Sequence, residues 1–213
     1  MNKNTVPAVL TAALALLLAA CQPSQNSAEP ATAPASEAAP ATKSTIKGSD
    51  IRKEDIGGDF TMTDGEGKPF RLSDLKGNVV LLSFGYTHCP DVCPTELLTY
   101  SDALKQLGEQ AKDVKVVFAS VDPERDTPEL VGKYAKQFNP DFIGITATEG
   151  QSLPVIKQQY RVVSAKVNAQ ESDNYLVDHS SGAYLIDKNG EAAIFLPYGA
   201  EPDAIAADIK TLL

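Results

Sequence analysis

The sequence predicts one α/β domain built on a central mixed sheet flanked by helices, with an N-terminal extension of short strands. Three observations predict it. Two long apolar runs, Asn78–Tyr86 and Val114–Val121, suit strands covered on both faces. Each is followed by a stretch with helical spacing, the connection that a parallel pair of strands requires. Near the C-terminus, Asn189-Gly190 separates two further apolar runs, which is the strongest short-range signal for a hairpin.

The chain opens on a single cation, Lys3, followed by an apolar run from Val6 to Ala20. That run has the size of a secretory h-region and is too short to cross a bilayer comfortably. Its last residues with the next cysteine, "LAAC" (Leu18–Cys21), resemble a bacterial lipobox. Residues 1–20 therefore read as a lipoprotein signal peptide and Cys21 as the lipidated residue. Residues 21–49 are rich in Ala, Pro and Ser, with too little apolar bulk to offset the entropy of ordering them, and read as a disordered tether. Lipidation consumes one of the three cysteines and leaves Cys89 and Cys93.

Residues 50–213 have a normal length for one compact domain. The formal net charge of −9 argues against a nucleic-acid partner, because an acidic body repels a phosphate backbone. Within this domain "DFTMTD" and "PFRLSDL" read as short strands around the turn Gly65–Lys68, and Asn78–Tyr86 as the first central strand. Directly after the cysteines, Pro94 suits a first helical turn, with Leu97, Tyr100, Leu104 and Leu107 at helical spacing and Gly108 to end it. Val114–Val121 is the second central strand. Thr127 caps a helix with Pro128 at its first position and Leu130, Tyr134 and Phe138 along one face. A strand "FIGITAT", a helix from Leu153 to Tyr160, a strand "RVVSAKV", the hairpin and a last helix from Asp203 to Leu213 complete the order. This succession is that of a thioredoxin-like sheet.

The two thiols fall where a central strand ends and a helix starts, which is where open α/β sheets form binding crevices. Unpaired N–H groups and the positive end of the helix dipole favour thiolate there, so the thiols should be unusually acidic. Three residues separate them, Pro90, Asp91 and Val92, whereas thioredoxin-type oxidoreductases use two. Positions i and i+4 share a helical face, and two sulfurs at this spacing can converge on one ion. A disulfide staple is a weak alternative, since so short a loop removes little unfolded-state entropy.

A metal would need a third ligand, and the sequence holds two histidines, His88 and His179. His88 adjoins Cys89 at a strand end, where side chains alternate, and reads as a rim residue. His179 stands just before the hairpin strand that would run beside the cysteine-bearing strand. Spacing alone leaves it between ligand and structural residue. Asp178 next to it is a candidate to orient the ring. Two thiolates and an imidazole with an open position suit copper, as Cu(I) or Cu(II), better than zinc, for which no fourth Cys or His exists.

"FGYTHCPDVCP", "SVDPERDTP" (Ser120–Pro128) and "YLVDHSSGAYLID" (Tyr175–Asp187) together resemble the Sco/SenC family of membrane-anchored, thioredoxin-like copper proteins. The resemblance runs from about Asp59 to the C-terminal helix. It implies one copper per domain held by Cys89, Cys93 and His179, and a site bordered by Asp122 and Arg125, for which a loop-ordering ion pair is the preferred reading. It also implies delivery of copper to, or reduction of cysteines in, the binuclear copper site of cytochrome c oxidase. The partners so implied are the oxidase copper-site subunit, a copper donor protein and, through Cys21, a membrane of the bacterial cell envelope, with the folded domain facing the periplasm. A metallochaperone rather than an enzyme is expected. The alternatives are a thiol–disulfide oxidoreductase that keeps exported cysteines reduced or defends against oxidants, and a copper or redox sensor. Two features depart from relatives. No proline lies between Val162 and Leu196, so the proline that thioredoxins place opposite their dithiol is missing and His179 takes that neighbourhood. A lipid anchor also replaces the family's usual transmembrane helix.

Overall fold

The computed structural model describes residues 46–167 and 175–213. The leader, Cys21 and the tether as far as residue 45 lie outside the described residues. The eight-stranded main sheet contains β1 (Ser49–Asp50), β2 (Thr61–Asp64), β3 (Pro69–Arg71), β4 (Val79–Gly85), β5 (Val114–Ser120), β6 (Ile143–Thr146), β9 (Ala183–Ile186) and β10 (Ala192–Leu196). A separate two-stranded ribbon pairs β7 (Ser164–Val167) with β8 (Leu176–His179). The helices are α1 (Val92–Leu107), α2 (Pro128–Phe138), α3 (Leu153–Gln159) and α4 (Pro202–Lys210).

The strand order in the main sheet is β1-β10-β9-β4-β5-β6-β2-β3. β4, β5 and β6 run parallel, and β9 lies antiparallel to β4 with Ser83 opposite Ala183. Every residue of β4 is buried, which requires cover on both faces of the sheet, as its unbroken apolar run predicts. This is the mixed, helix-flanked, thioredoxin-like architecture expected. The pairing of β9 with β4 puts the chain just upstream of β9 at the end of β4 where the cysteines begin.

Four local expectations differ from the structure. The "LSDL" end of the third short strand is a 3₁₀ turn, Leu72–Leu75, because the Asp59 carboxylate accepts from Ser73 N at 2.9 Å and Ser73 Oγ at 2.8 Å and bends the chain. The folded body starts before residue 50. Lys47 N and Gly48 N donate to the fully buried Asp208 carboxylate at 2.6 and 2.7 Å, and Ser49 pairs with Phe195. The last residues assigned to the tether are thereby part of the fold.

Helix α2 is capped by Thr127, whose hydroxyl accepts from Leu130 N, as expected, but its buried face is Val131, Gly132 and Ala135. Leu130 is exposed. A Cβ on Gly132 would lie 2.6 Å from Gly65 Cα, so the helix turns its smallest residues inward to approach another backbone closely. Tyr134 and Phe138 are half-buried and pack against the core beside that stripe, so of the expected face only Leu130 turns outward. Finally, β8 is a strand where none was anticipated, with Tyr175 and Val177 buried and Leu176 and Asp178 exposed in period-two alternation.

Candidate metal centre

β4 ends at Gly85, and the chain passes through Tyr86–Asp91 into α1. The turn is fixed from below by Asp126, which is fully buried and accepts from Thr87 N at 3.0 Å, Thr87 Oγ1 at 2.6 Å and Ser120 Oγ at 2.6 Å. Cys89 N then donates to Tyr86 O at 3.3 Å. The N-cap residue Asp91 makes no side-chain cap, and the sulfur of Cys89 accepts from Cys93 N at 3.4 Å instead. One of the orphan donors of the helix start is thus spent on the thiol.

The consequence is a split pair. Cys89 is pulled down to about 5, chiefly by a hydrogen bond from the Cys93 thiol and, against a desolvation penalty, by the backbone N–H groups of Cys93 and Asp91. Cys93 is buried and is pushed up, first because its thiol supports the Cys89 sulfur and second because burial disfavours its charge. The expectation of two acidic thiols is met by one. A pH-dependent reactivity follows. Because the folded state favours the Cys89 thiolate, alkylation of the reduced protein by iodoacetamide is expected to label Cys89 well ahead of Cys93. The labelling rate should stay flat down to about pH 6 and fall roughly tenfold per unit below pH 5. A rate that instead climbs tenfold per unit between pH 6 and 8, mapped to Cys89 by peptide mass, contradicts the split.

His179 ends β8, paired across the ribbon with Ser164. Its Nδ1 lies 2.8 Å from the Ser180 carbonyl oxygen, which can only accept, so the ring proton sits on Nδ1. Nε2 is left with a lone pair, 3.4 Å from Cys93 Sγ. The ring stands edge-on to Tyr86 at 5.8 Å and 89°. Cys89 Sγ, Cys93 Sγ and a His179 ring nitrogen all lie within 4.8 Å of one another, the only such group of three among the described residues. Donors each about 2.3 Å from one ion stand about 4 Å apart. The observed spacing therefore needs little adjustment to close on a metal, and the donor chemistry, two sulfurs and one imidazole, fits copper.

The remaining sequence candidates are sorted by their contacts. His88 is exposed, with Nδ1 3.1 Å from Thr87 Oγ1 and 3.7 Å from Asp126, and stands apart from the sulfur pair as a rim residue. Asp178 does not orient the histidine ring. It is exposed, and the Nδ1 partner is the Ser180 carbonyl. Asp178 instead lines the mouth of a groove with Asp91, Pro90, Leu176, Cys89 and His179.

Asp122 and Arg125 form an ion pair at 2.7 Å whose side chains are 1% and 13% exposed. The pair reaches the ribbon. Arg125 Nη1 donates to Tyr175 O at 2.9 Å, its guanidinium lies 3.5 Å from the centre of the Tyr175 ring, and Tyr175 Oη donates to Asp122 at 2.7 Å. The loop after β5 is thereby tied to Tyr175, the residue that precedes the strand carrying His179.

Sequence reasoning did not single out Asp126, Tyr175, Ser180 or Glu96. Glu96 left a signal: it falls on the buried stripe of α1 with Cys93, Leu97 and Tyr100, where a carboxylate is out of place.

These features define a thioredoxin-like domain in which a histidine on an added ribbon completes a Cys₂His donor set. The SCO1/SenC family model matches residues 48–213, and the chain belongs to that family. An SCO2-like protein of Rickettsia felis is 44% identical over 156 residues, covering 73% of this chain and 76% of the relative. The structure of Bradyrhizobium japonicum ScoI with copper bound superposes with a TM-score of 0.67 at 40% identity, over 74% of this chain and 99% of that one. BsSco, described as carrying a disulfide switch and as a member of the Sco family of cytochrome c oxidase assembly proteins, aligns at 25% identity with a TM-score of 0.58, over 75% of this chain and 94% of its own.

Proposed function

We propose that this protein is a copper-binding assembly factor that holds one copper through Cys89, Cys93 and His179 and delivers it to the binuclear copper site of a cytochrome c oxidase. The convergence of two sulfurs and an imidazole nitrogen within 4.8 Å carries this reading, because no other residue set among those described offers soft donors to one point. The copper-bound relative supports the choice of metal. The oxidase as client is supported by family membership and by the assembly role stated for BsSco.

The chain's own residues suit capture and release. Cys89 is ionised at neutral pH and lies at the groove, so it meets an incoming ion without first losing a proton. Cys93 must give up a proton on binding, which makes affinity rise with pH. His179 presents Nε2 in the correct tautomer at no further cost. The copper so held is cargo; the site needs access to a client, and the groove beside Leu176 and Pro90 provides it. The leader sequence supports anchoring through Cys21 in the bacterial cell envelope with the domain facing the periplasm.

The test is the absorption spectrum of the reduced, Cu(II)-loaded domain. Sulfur-to-copper charge-transfer bands at one copper per chain, lost in Cys89→Ser and in Cys93→Ser, are the expected result. Stoichiometric copper without such bands would remove the thiolates from the site and the proposal with them.

A second reading rests on the split thiol pair. In it the Cys89 thiolate attacks a client disulfide to give a mixed disulfide, and the Cys93 thiolate then displaces the client. The two electrons reduce the client pair, and a Cys89–Cys93 disulfide is left behind.

A further inference from the structure

We infer that Glu96 is a positioning residue for the metal centre, fixing the orientation of His179 through the backbone of Gly182. This deepens the copper reading and rests on it.

Glu96 is 7% exposed and, among the described residues, takes part in no ion pair. A carboxyl group buried without a cation is costly and needs a compensating hydrogen bond. Its Oε1 accepts from Gly182 N at 3.0 Å, a buried contact between residues 86 apart in sequence. Burial pushes the Glu96 carboxyl up, and the Gly182 N–H acts against that rise.

Gly182 is three residues beyond His179 and has little freedom. Its φ is +102°, and a Cβ there would lie 2.5 Å from Leu196 O and 2.9 Å from the Phe195 ring. The loop between His179 and β9 is therefore pinned at Gly182 by the helix on one side and β10 on the other. At its other end Ser180 is tied to the ribbon by Ser180 N to Val163 O at 2.9 Å and Val163 N to Ser180 Oγ at 3.0 Å. The Ser180 carbonyl, which alone holds the His179 Nδ1 proton, sits between these two anchors.

The placement of Glu96 on α1 gives the contact its meaning. It stands three residues after Cys93, on the same helical face. One helical turn thus carries a sulfur donor and the acceptor that sets the loop of the nitrogen donor. Any displacement of α1 moves both, so the spacing between Cys93 Sγ and His179 Nε2 is kept.

The test compares the parent with Glu96→Gln, which keeps an oxygen acceptor, and Glu96→Ala, which does not. Nitrogen-15 spectra of the copper-free, reduced protein report the His179 tautomer, and hydrogen exchange reports the Gly182 amide. The parent and Glu96→Gln are expected to show the Nδ1–H tautomer and a slowly exchanging Gly182 amide. Glu96→Ala is expected to show mixed tautomers, fast exchange at Gly182 and copper affinity lower by about 10–100-fold. Parental tautomer and affinity in Glu96→Ala overturn the inference, as does a Gln variant as impaired as the Ala variant. If Glu96→Ala does not fold, fast Gly182 exchange in the parent or in Glu96→Gln overturns it, and slow exchange with the Nδ1–H tautomer in both upholds it. A parent that fails to bind copper refutes the functional reading alone, since the tautomer and exchange measurements need no metal.

Discussion

His179→Ala is expected to abolish stoichiometric copper binding while leaving the domain folded. The ring supplies the one nitrogen donor of the group, 3.4 Å from Cys93 Sγ; among the described residues no other His, Cys, Asp or Glu joins the two sulfurs, and His88 is engaged with Thr87 and Asp126. Removal of an orienting partner costs about 10–100-fold in affinity, so loss of the ligand itself should cost more than about 100-fold. Folding depends little on the ring, whose one aromatic neighbour among the described residues is Tyr86, and the loss should stay within about 1.5 kcal/mol. Competition against a copper chelator measures the first effect, and circular dichroism with urea titration the second. Copper retained at parental affinity would reject the Cys₂His assignment and favour the thiol–disulfide reading.

Arg125→Ala should be the most destabilising substitution near the site. The guanidinium is bonded to a carboxylate whose side chain is 1% exposed, and its removal leaves Asp122 buried with, among the described residues, the Tyr175 hydroxyl and its own backbone contacts. Breaking a buried pair from one side costs about 3–5 kcal/mol, a large part of the roughly 5–15 kcal/mol that holds a domain of this size together. The ribbon should loosen as well, because the same side chain stacks on Tyr175 and donates to its carbonyl. Arg125→Lys should recover only part of the loss, since an ammonium cannot stack and donate in the same plane. The paired change of Asp122→Asn with Arg125→Met should be less damaging than Arg125→Ala, because no stranded charge remains. Urea midpoints decide this. A loss under about 1 kcal/mol for Arg125→Ala would place the pair among surface bridges and would remove it as the ribbon's latch.

Much of the site was legible because its signals are local. The strand end, the cysteine spacing and Pro94 place two thiols at a helix start from a single stretch of chain. The acidity of one thiol follows from that placement, but its division between Cys89 and Cys93 does not. It depends on which sulfur receives the helix N–H and which is buried under the sheet end, and both are set by packing. Asp126 was illegible beside Asp122 for the same reason. The two occur in one motif, "DPERD", and only the fold turns one toward Thr87 and Ser120 and the other toward Arg125 and Tyr175. The close approach of α2 at Gly132 escaped periodicity because a glycine packed against another backbone carries no hydrophobic signal.

The order of the main-sheet strands and helices was legible in the sequence alone, since apolar runs and turn residues act over short distances along the chain, and the family resemblance added Cys89, Cys93 and His179 as the candidate donors. Tertiary structure decided which carboxylates anchor the neighbouring loops, which thiol is the more acidic and which nitrogen of His179 faces Cys93. Those outcomes depend on hydrogen bonds between residues far apart in sequence, such as Glu96 with Gly182, and on differences in burial that no local pattern records.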